Sequence, residues 1–291
     1  MDILLALGGG GSKGNAHIGV LRVLEREGFR IRAVAGTSAG GMAASAYAAG
    51  YGPDELEKVM CEVDQRSLFG FHFGDDPSLL GVGGISQVMT DLLGDRTFSD
   101  LKLPCALVAV DLKSGKKVVL REGKVIDAVL ATIAIPGIFP PKSWGDYLLV
   151  DGGVLDPVPV SVVREIGPDK YLPVVAVTLT SEPTHSGLLP QIGPKAVEPI
   201  ISRISRLRLS KAFDIFIHSI DIGVSSITEM RLSIDAPDVL IQPDVRKIGY
   251  LDEVDVCDVV RLGEEATEAI LPELIKAVGL GGRVRRWLRN R

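Results

Sequence analysis

The stretch Gly36-Thr37-Ser38-Ala39-Gly40 decides the fold prediction for this chain. It follows residues 30–35, which are typical of a strand with a buried end, and it precedes residues 41–51, whose small apolar side chains predict a buried helix. A strand, then Gly-x-Ser-x-Gly, then a helix is the context of a nucleophile elbow, a sharp turn that exposes a serine hydroxyl. Glycines suit such a turn because they lack a Cβ and tolerate strained torsions. By itself, the motif is also compatible with a serine that only caps the helix.

The composition is that of a globular protein with a sizeable core. The chain has 291 residues, 46% hydrophobic and 24% charged, and its net charge of −5 provides no basic field for nucleic acid. Cys61, Cys105 and Cys257 are odd in number, distant in sequence and without a CxxC pair, so neither a disulfide framework nor a zinc site is predicted. This cysteine usage, with no basic leader ahead of the first apolar segment, favours a reducing, cytoplasmic location.

The order of predicted elements indicates an α/β protein with parallel strands. Residues 2–7 predict a strand, residues 8–14 a glycine-rich loop and residues 15–27 a helix, before the strand that leads into the elbow. The uncharged run 33–53 contains the elbow and is rich in Gly, Ala, Ser and Thr, so we interpret it as a buried strand–turn–helix rather than a membrane span.

The rest of the chain completes one predicted domain over residues 1–280. Strands are predicted at 105–112, 117–121, 147–150, 173–179 and 239–242, and helices at 54–61, 85–93, 124–132 and 158–166. A long helix is expected over 196–230 with a break near Gly223, and a closing helix over 251–278 with interruptions near Gly263 and Pro272. Residues 67–84 have no clear period and are interpreted as a loop or mobile cover.

The tail 281–291 differs in composition from the domain. It holds five arginines around Trp287: Arg283, Arg285, Arg286, Arg289 and Arg291. Either it is a solvated terminus, or it makes a weak peripheral contact with anionic lipid headgroups.

The glycine-rich loop has two functional interpretations, because backbone amides in such loops bind phosphate or an oxyanion. A phosphate-binding P-loop is excluded since Lys13 precedes Gly14 instead of following it. Gly9-x-Gly11-x-x-Gly14 matches a dinucleotide-binding spacing, but residues 34–37 lack the acidic residue expected about twenty positions later. Because the loop lies one strand from Ser38, we favour an oxyanion hole.

Ser38 needs a base, and the histidines are poor candidates. His185 and His218 come late enough for a Ser–acid–His order, but His185 lies in a Pro/Ser-rich loop and His218 in a helical run. His72 lies in the stretch interpreted as a loop or cover. We expect His17, on the first helix, to pack or cap.

Asp151 is the better candidate base. It follows the strand at 147–150 and precedes Gly152 and Gly153, so its carboxylate emerges at a strand end. A carboxylate can act as a base if burial raises its pKa. The alternative is that Asp151 only caps the turn.

Three motifs in this order resemble the patatin-like phospholipase family: Gly9-Gly10-Gly11-Ser12-Lys13-Gly14, the elbow, and Asp151-Gly152-Gly153. The segment 133–141 is similar to that family too, and the resemblance covers roughly residues 3–177. One departure is Asp156, where the family commonly has Asn.

The resemblance implies a three-layer α/β/α sandwich with a mostly parallel central sheet. It also implies a Ser38–Asp151 dyad without histidine, metal or cofactor, in which Asp151 takes the serine proton and Ser38 attacks an ester carbonyl. The oxyanion would be held by the loop residues Gly9, Gly10, Gly11, Lys13 and Gly14, with Lys13 adding positive potential. Further glycines support the motifs, namely Gly36, Gly40, Gly152 and Gly153.

The predicted function is therefore that of a serine acyl hydrolase acting on lipid or fatty-acyl esters, similar to a phospholipase A or lysophospholipase. An acyltransferase and an esterase of small esters or acylated proteins could use the same dyad. A regulatory protein that keeps the fold without useful turnover is a further alternative. The sequence does not specify the substrate, the acyl position or the oligomeric state.

Overall fold

A computed structural model describes residues 1–68, 70–71, 80–180, 200–279, 281–282, 286 and 288. The strands are β1 (Asp2–Leu7), β2 (Arg30–Thr37), β3 (Gly70–Phe71), β4 (Leu80–Gly81), β5 (Cys105–Asp111), β6 (Lys116–Leu120), β7 (Lys142–Trp144), β8 (Tyr147–Asp151), β9 (Val174–Val177) and β10 (Val239–Ile241). The helices are α1 (Ala16–Arg26), α2 (Ala39–Ala49), α3 (Pro53–Glu62), α4 (Gln65–Leu68), α5 (Gly83–Leu93), α6 (Val125–Thr132), α7 (Val160–Ile166), α8 (Ile200–Asp235), α9 (Val256–Ala269) and α10 (Leu271–Val278). Short 3₁₀ helices cover Gly11–Asn15, Phe98–Asp100 and Gly152–Val154.

The main sheet has eight strands and is parallel through its centre. The order is β10-β9-β1-β2-β5-β8-β7, and β6 pairs with β5 outside this path. The β10–β9, β9–β1, β1–β2 and β2–β5 pairs are parallel. The β5–β6, β5–β8 and β7–β8 pairs are antiparallel. The sequence predicted the parallel part and the β5–β6 hairpin but missed the short strand β7.

Helices cover both faces of this sheet. Side chains alternate across a strand, and β1 shows the result: Ile3, Leu5 and Leu7 join a core with α1, α2 and α9, whereas Leu4 and Ala6 join a second core with α7. Both faces of the central strands are buried, as parallel sheets require. The predicted three-layer α/β/α sandwich is confirmed.

Close contact between α1 and α9 depends on two glycines. A Cβ at Gly19 would lie 2.0 Å from the Val260 carbonyl oxygen, and a Cβ at Gly263 would lie 2.0 Å from the Ala16 carbonyl oxygen. The two helix backbones therefore pack directly on each other. Gly263 is a contact residue within a continuous helix, so the predicted interruption there is wrong.

The predicted break near Gly223 is also wrong. Helix α8 runs from Ile200 to Asp235, and a Cβ at Gly223 would meet nothing within 4 Å. One glycine costs a helix only about 1 kcal/mol relative to alanine, too little to end a long helix. The interruption predicted near Pro272 does occur, because α9 ends at Ala269 and α10 begins at Leu271.

Arg286 corrects the interpretation of the tail as a lipid contact. Its side chain is buried, donates to the Tyr171 and Ala277 carbonyls at 2.8 Å each, and lies 3.7 Å from Asp238. A guanidinium held in this way is not available to headgroups. The other four tail arginines, Arg283, Arg285, Arg289 and Arg291, lie outside the described residues, so their lipid contact stays a prediction.

The predicted cover over residues 67–84 lies partly outside the described residues. Its described ends belong to α4, the β3–β4 pair and the start of α5, with Gly70 opposite Gly81. Within the described part of the chain, no helix combines the length and apolarity needed to cross a membrane.

Two Gly→Ala variants test the α1–α9 contact. Gly263→Ala should lower the melting temperature, because the new methyl group forces two backbones apart and overpacking typically costs about 1–3 kcal/mol. Gly223→Ala is the matched control in an open helix position, and should raise stability by up to about 1 kcal/mol. Equal melting temperatures for the two variants would contradict the assigned contact.

Candidate active site

One edge of β5 brings the elbow and Asp151 together. The parallel strand β2 pairs with Cys105–Val108 and ends with Thr37 opposite Val108. The antiparallel strand β8 pairs with the next residues of β5, and its last residue, Asp151, lies opposite Ala109. Because β6 occupies the other edge over residues 107–111, β2 and β8 must share this edge. Ser38, which follows Thr37, and Asp151 therefore lie next to each other, because their strands end opposite the neighbouring β5 residues Val108 and Ala109.

Ser38 has the backbone of a strained turn. Its φ is 55° and its ψ is −126°, a combination that few residues other than glycine adopt. Flanking glycines make the turn possible: a Cβ at Gly36 would lie 2.2 Å from the Gly40 carbonyl oxygen, and a Cβ at Gly40 would lie 2.2 Å from the Leu7 carbonyl oxygen. The sequence predicted this role for both glycines.

Two threonines hold the elbow in place. The Ser38 amide donates to Thr132 Oγ1 at 3.0 Å, and this hydroxyl in turn donates to the Val108 carbonyl of β5. The Thr37 hydroxyl donates to the Asp156 carbonyl at 2.8 Å. Sequence analysis missed Thr132, because a threonine at the end of a predicted helix carries no signal of a contact 94 positions away.

The Asp151 carboxylate is buried and turned toward the serine. Its Oδ1 accepts from the Gly153 amide at 2.7 Å. Burial raises the Asp151 pKa to about 6, although the neighbouring Ser38 side chain and the Gly153 amide act to lower it. Gly152 has no room for a side chain, since its Cβ would lie 2.4 Å from the Val108 carbonyl oxygen.

Asp156, the departure from the family pattern, is fully buried and supports the same segment. Its Oδ2 lies 2.8 Å from Lys117 Nζ on β6 and 3.8 Å from Arg231 on α8. Burial raises the Asp156 pKa while the two cations act to lower it. The carboxylate therefore anchors α8 and β6 to the turn after Asp151.

Some residues of the glycine loop pack closely against the elbow, and one of its amides is already hydrogen-bonded. The Gly9 amide donates to the Pro157 carbonyl at 3.1 Å, so this amide is already used. A Cβ at Gly9 would lie 3.2 Å from Ser38 Cβ, and a Cβ at Gly14 would lie 2.7 Å from Ala39 Cβ. In the described part of the chain, the amides of Gly10 and Gly11 have no hydrogen-bond partner.

Tyr250, from the loop between β10 and α9, clamps this glycine loop. Its carbonyl accepts from the Ser12 amide at 2.9 Å and lies 2.0 Å from the position of a Cβ on Gly11, whose φ is +58°. The Lys13 ammonium lies 4.9 Å from the centre of the Tyr250 ring, within reach of a cation–π contact. Burial and the nearby negative charge of Asp221 on α8 raise the pKa of the Tyr250 phenol.

The buried Lys13 is part of this cluster rather than a free surface cation. Burial lowers the Lys13 pKa, while the negative charges of Asp221 and Asp252 act to raise it. No motif in the second half of the chain identified Tyr250 or Asp221, because both reach the site through tertiary contacts between residues more than 200 positions apart in sequence.

His17 is the one histidine whose side chain the structure describes, and it provides no base for Ser38. His17 is fully buried, and its Nε2 lies 2.8 Å from the Gly8 carbonyl oxygen, so it packs beneath the glycine loop as predicted. Burial lowers the His17 pKa to about 4, which keeps the ring neutral. His72, His185 and the side chain of His218 lie outside the described residues.

An apolar cavity of about 630 Å³ opens beside Ser38. Its polar lining includes Ser12, Tyr250, Asp252 and Glu253. Its apolar lining comprises Ile18, Met42, Ala43, Ala46, Leu56, Met60, Leu68, Ile85, Val88, Met89, Leu92, Ile133, Ile135 and Phe139. A cavity of this composition suits a hydrocarbon chain.

Strain at the elbow predicts a difference between two variants that both remove the hydroxyl. Ser38→Gly should be more stable than Ser38→Ala by about 1–2 kcal/mol, because glycine adopts the observed backbone torsions without a Cβ clash. Denaturant unfolding of both variants measures this difference. A Ser38→Ala protein as stable as Ser38→Gly would mean that the turn is unstrained.

The chain is similar in sequence to known bacterial proteins. An NTE family protein of Mycobacterium tuberculosis is 33% identical over 218 residues, covering 73% of this chain and 58% of that protein. A second one from the same species is 30% identical over 289 residues, covering 94% of this chain and 47% of that protein. The chain therefore spans about half the length of these curated relatives.

A solved structure supports the fold independently. VipD from Legionella pneumophila matches 93% of this chain and 66% of its own chain with a TM-score of 0.58, at 14% identity. The Patatin-like phospholipase family model matches residues 5–164, which include the glycine loop, the elbow and the Asp151 motif. Because this match covers more than half of the chain, the protein belongs to the patatin-like phospholipase family.

Proposed function

We propose that this protein is a serine hydrolase that cleaves carboxylic esters of lipids through a Ser38–Asp151 dyad and an acyl-enzyme. The observation that carries the proposal is the register that brings the turn of Ser38 next to a buried Asp151 carboxylate, with an apolar cavity beside the serine. Membership of the patatin-like phospholipase family supports the same reaction class.

The first half of the proposed reaction acylates Ser38. Asp151 accepts the hydroxyl proton as Ser38 Oγ attacks the ester carbonyl carbon, and the carbonyl oxygen becomes an oxyanion. The Gly10 and Gly11 amides are the proposed donors to this oxygen, and Gly9 is left out because its amide binds Pro157. Collapse of the intermediate expels the alcohol, which takes the proton from Asp151.

The second half releases the acyl group. Asp151 is again ionised and removes a proton from water as the water oxygen attacks the acyl-enzyme carbonyl. Collapse of this second intermediate breaks the bond to Ser38 Oγ, which takes the proton back from Asp151, and the fatty acid is released. A pKa of about 6 suits this role, because the carboxylate is ionised at neutral pH yet is a stronger base than an exposed aspartate. Neither half requires a metal or a cofactor.

The cavity favours a long acyl chain as the substrate group. About 630 Å³ lined mainly by aliphatic side chains is more than a small soluble ester would fill. We therefore propose fatty-acyl esters of the phospholipase A or lysophospholipase type. Acyl transfer to an alcohol other than water would use the same groups, and small-ester or acyl-protein hydrolysis would leave most of the cavity empty.

The first test combines an active-site probe with a series of esters. A fluorophosphonate should label the parent at Ser38, and Ser38→Ala should abolish both labelling and hydrolysis. Among p-nitrophenyl esters, kcat/KM should rise with acyl length, since each buried methylene contributes about 0.8 kcal/mol, roughly fourfold. Labelling at another serine, or a preference for acetate, would refute the corresponding part of the proposal.

The pH dependence tests Asp151 as the base. Because the protonated carboxyl cannot accept the serine proton, kcat/KM should rise with pH through an ionisation near 6 and then level off. Asp151→Asn should lower turnover by a factor of about 10²–10⁴ and should abolish this rise of kcat/KM with pH. His17 is a second buried titratable group nearby, so His17→Gln is the control variant. It should keep the rise of kcat/KM with pH.

As pH rises through 6, the free energy of unfolding should fall, whereas activity should rise. A raised pKa in the folded state means that the protonated Asp151 is favoured by folding, so this stabilisation is present below the unfolded value of 3.8 and lost as pH rises through 6. Asparagine does not titrate. The stability of Asp151→Asn relative to the parent should therefore be higher at pH 8 than at pH 4, by on the order of 3 kcal/mol at most. An equal difference at both pH values would contradict the buried ionisation.

A further inference from the structure

Two cysteines that are remote in sequence meet at the surface behind the cavity wall. Cys61 Sγ, near the end of α3, lies 3.7 Å from Cys257 Sγ, in the first turn of α9, although 196 positions separate them. Both residues are exposed, whereas Cys105 is buried in the core. The sequence predicted no disulfide because the spacing between these cysteines carries no pairing signal.

We propose that Cys61 and Cys257 are a redox modification site, at which a peroxide oxidises the two thiols to a reversible disulfide that ties α3 to α9. Bond formation needs the sulfur atoms to approach from 3.7 Å to about 2.0 Å. Both cysteines lie close to helix ends, where a small displacement is least costly, and both can be reached from solvent.

The chemistry balances with hydrogen peroxide as the two-electron oxidant. The Cys61 thiolate attacks one peroxide oxygen, the O–O bond breaks, and protonation of the leaving oxygen gives water and a Cys61 sulfenic acid. The Cys257 sulfur then attacks the Cys61 sulfur, the S–O bond breaks, and the second water leaves with the Cys257 proton. The two cysteines lose two electrons in total, and a small dithiol returns them.

The local charges favour an uncharged oxidant. Glu57 and Asp255 place negative charge beside Cys257, which disfavours anionic oxidants such as glutathione disulfide. The hydrogen bond with Cys61 and these carboxylates raise the Cys257 pKa to about 11. The balance is the same whichever of the two sulfurs attacks the peroxide, because the other one then resolves the sulfenic acid.

The bond would reinforce a connection that already joins these helices. Arg22 of α1 binds Glu57 of α3 and Glu264 of α9 at 2.5 and 2.7 Å. On its inner side, α3 supplies Leu56 and Met60 to the cavity wall. A disulfide would therefore fix this wall, and the consequence for ester turnover, unlike the bond itself, rests on the proposed function.

The test uses the full chain, reduced with dithiothreitol, freed of it and treated with hydrogen peroxide. Alkylation with iodoacetamide and peptide mapping should show a Cys61–Cys257 linked peptide, an intact mass lower by two hydrogen atoms, and full reversal by dithiothreitol. Cys105→Ser should behave like the parent. Cys61→Ser and Cys257→Ser should each give no intramolecular cross-link.

Two outcomes would overturn the site: both thiols remain alkylatable after oxidation, or the linked peptide involves Cys105 or a second chain. The oxidised parent should also melt at a higher temperature, because the bond closes a very long loop. In the activity arm, oxidation should change the ratio of rates on long-chain and short-chain esters in the parent but not in Cys61→Ser. If the bond forms but the reduced protein cleaves no ester, the proposed function fails and the modification site stands.

Discussion

The shared edge of β5 is the constraint on which the candidate site depends. A parallel strand, β2, leaves this edge at Val108, and an antiparallel strand, β8, takes it over at Ala109. Because β8 runs antiparallel to β5 whereas β2 runs parallel to it, β2 leads into Ser38 and β8 ends in Asp151 at adjacent positions. Thr132 and Gly152 reinforce the junction, since both contact the Val108 carbonyl. A slip of one residue in either pairing would separate the two side chains.

Two local costs are concentrated at this junction. Ser38 adopts torsions that suit glycine, and Asp151 is held in a buried position that disfavours its ionised form. Both costs are offset by the surrounding sandwich, whose central strands are buried on both faces. The strained serine and the carboxylate of raised pKa therefore lie side by side, which is the arrangement that the proposed dyad requires.

Residues from the second half of the chain hold the elements of the candidate site in place. Tyr250 holds the glycine loop through its carbonyl and its ring, and the negative charge of Asp221 on α8 acts on both Lys13 and Tyr250. On the other side of the turn, Asp156 joins β6 to α8. Helix α9 packs on α1 through glycines and brings Cys257 to Cys61. The family match ends at residue 164, so Tyr250, helix α8 and helix α9 all lie beyond the matched segment.

The sequence by itself determined the features that depend on neighbours along the chain. Glycines on either side of Ser38 indicated the elbow, apolar periodicity indicated the strands and helices, and Asp151 could be singled out because it follows a strand and precedes glycines. These signals are local, since torsional freedom and side-chain alternation are properties of a few consecutive residues. Only the tertiary structure decided which side chains meet across the fold. The Gly9 amide is consumed by Pro157, Arg286 is buried beside Tyr171, and Thr132 reaches the elbow. Such contacts join residues remote in sequence, and they follow from strand register and helix packing that no short stretch encodes.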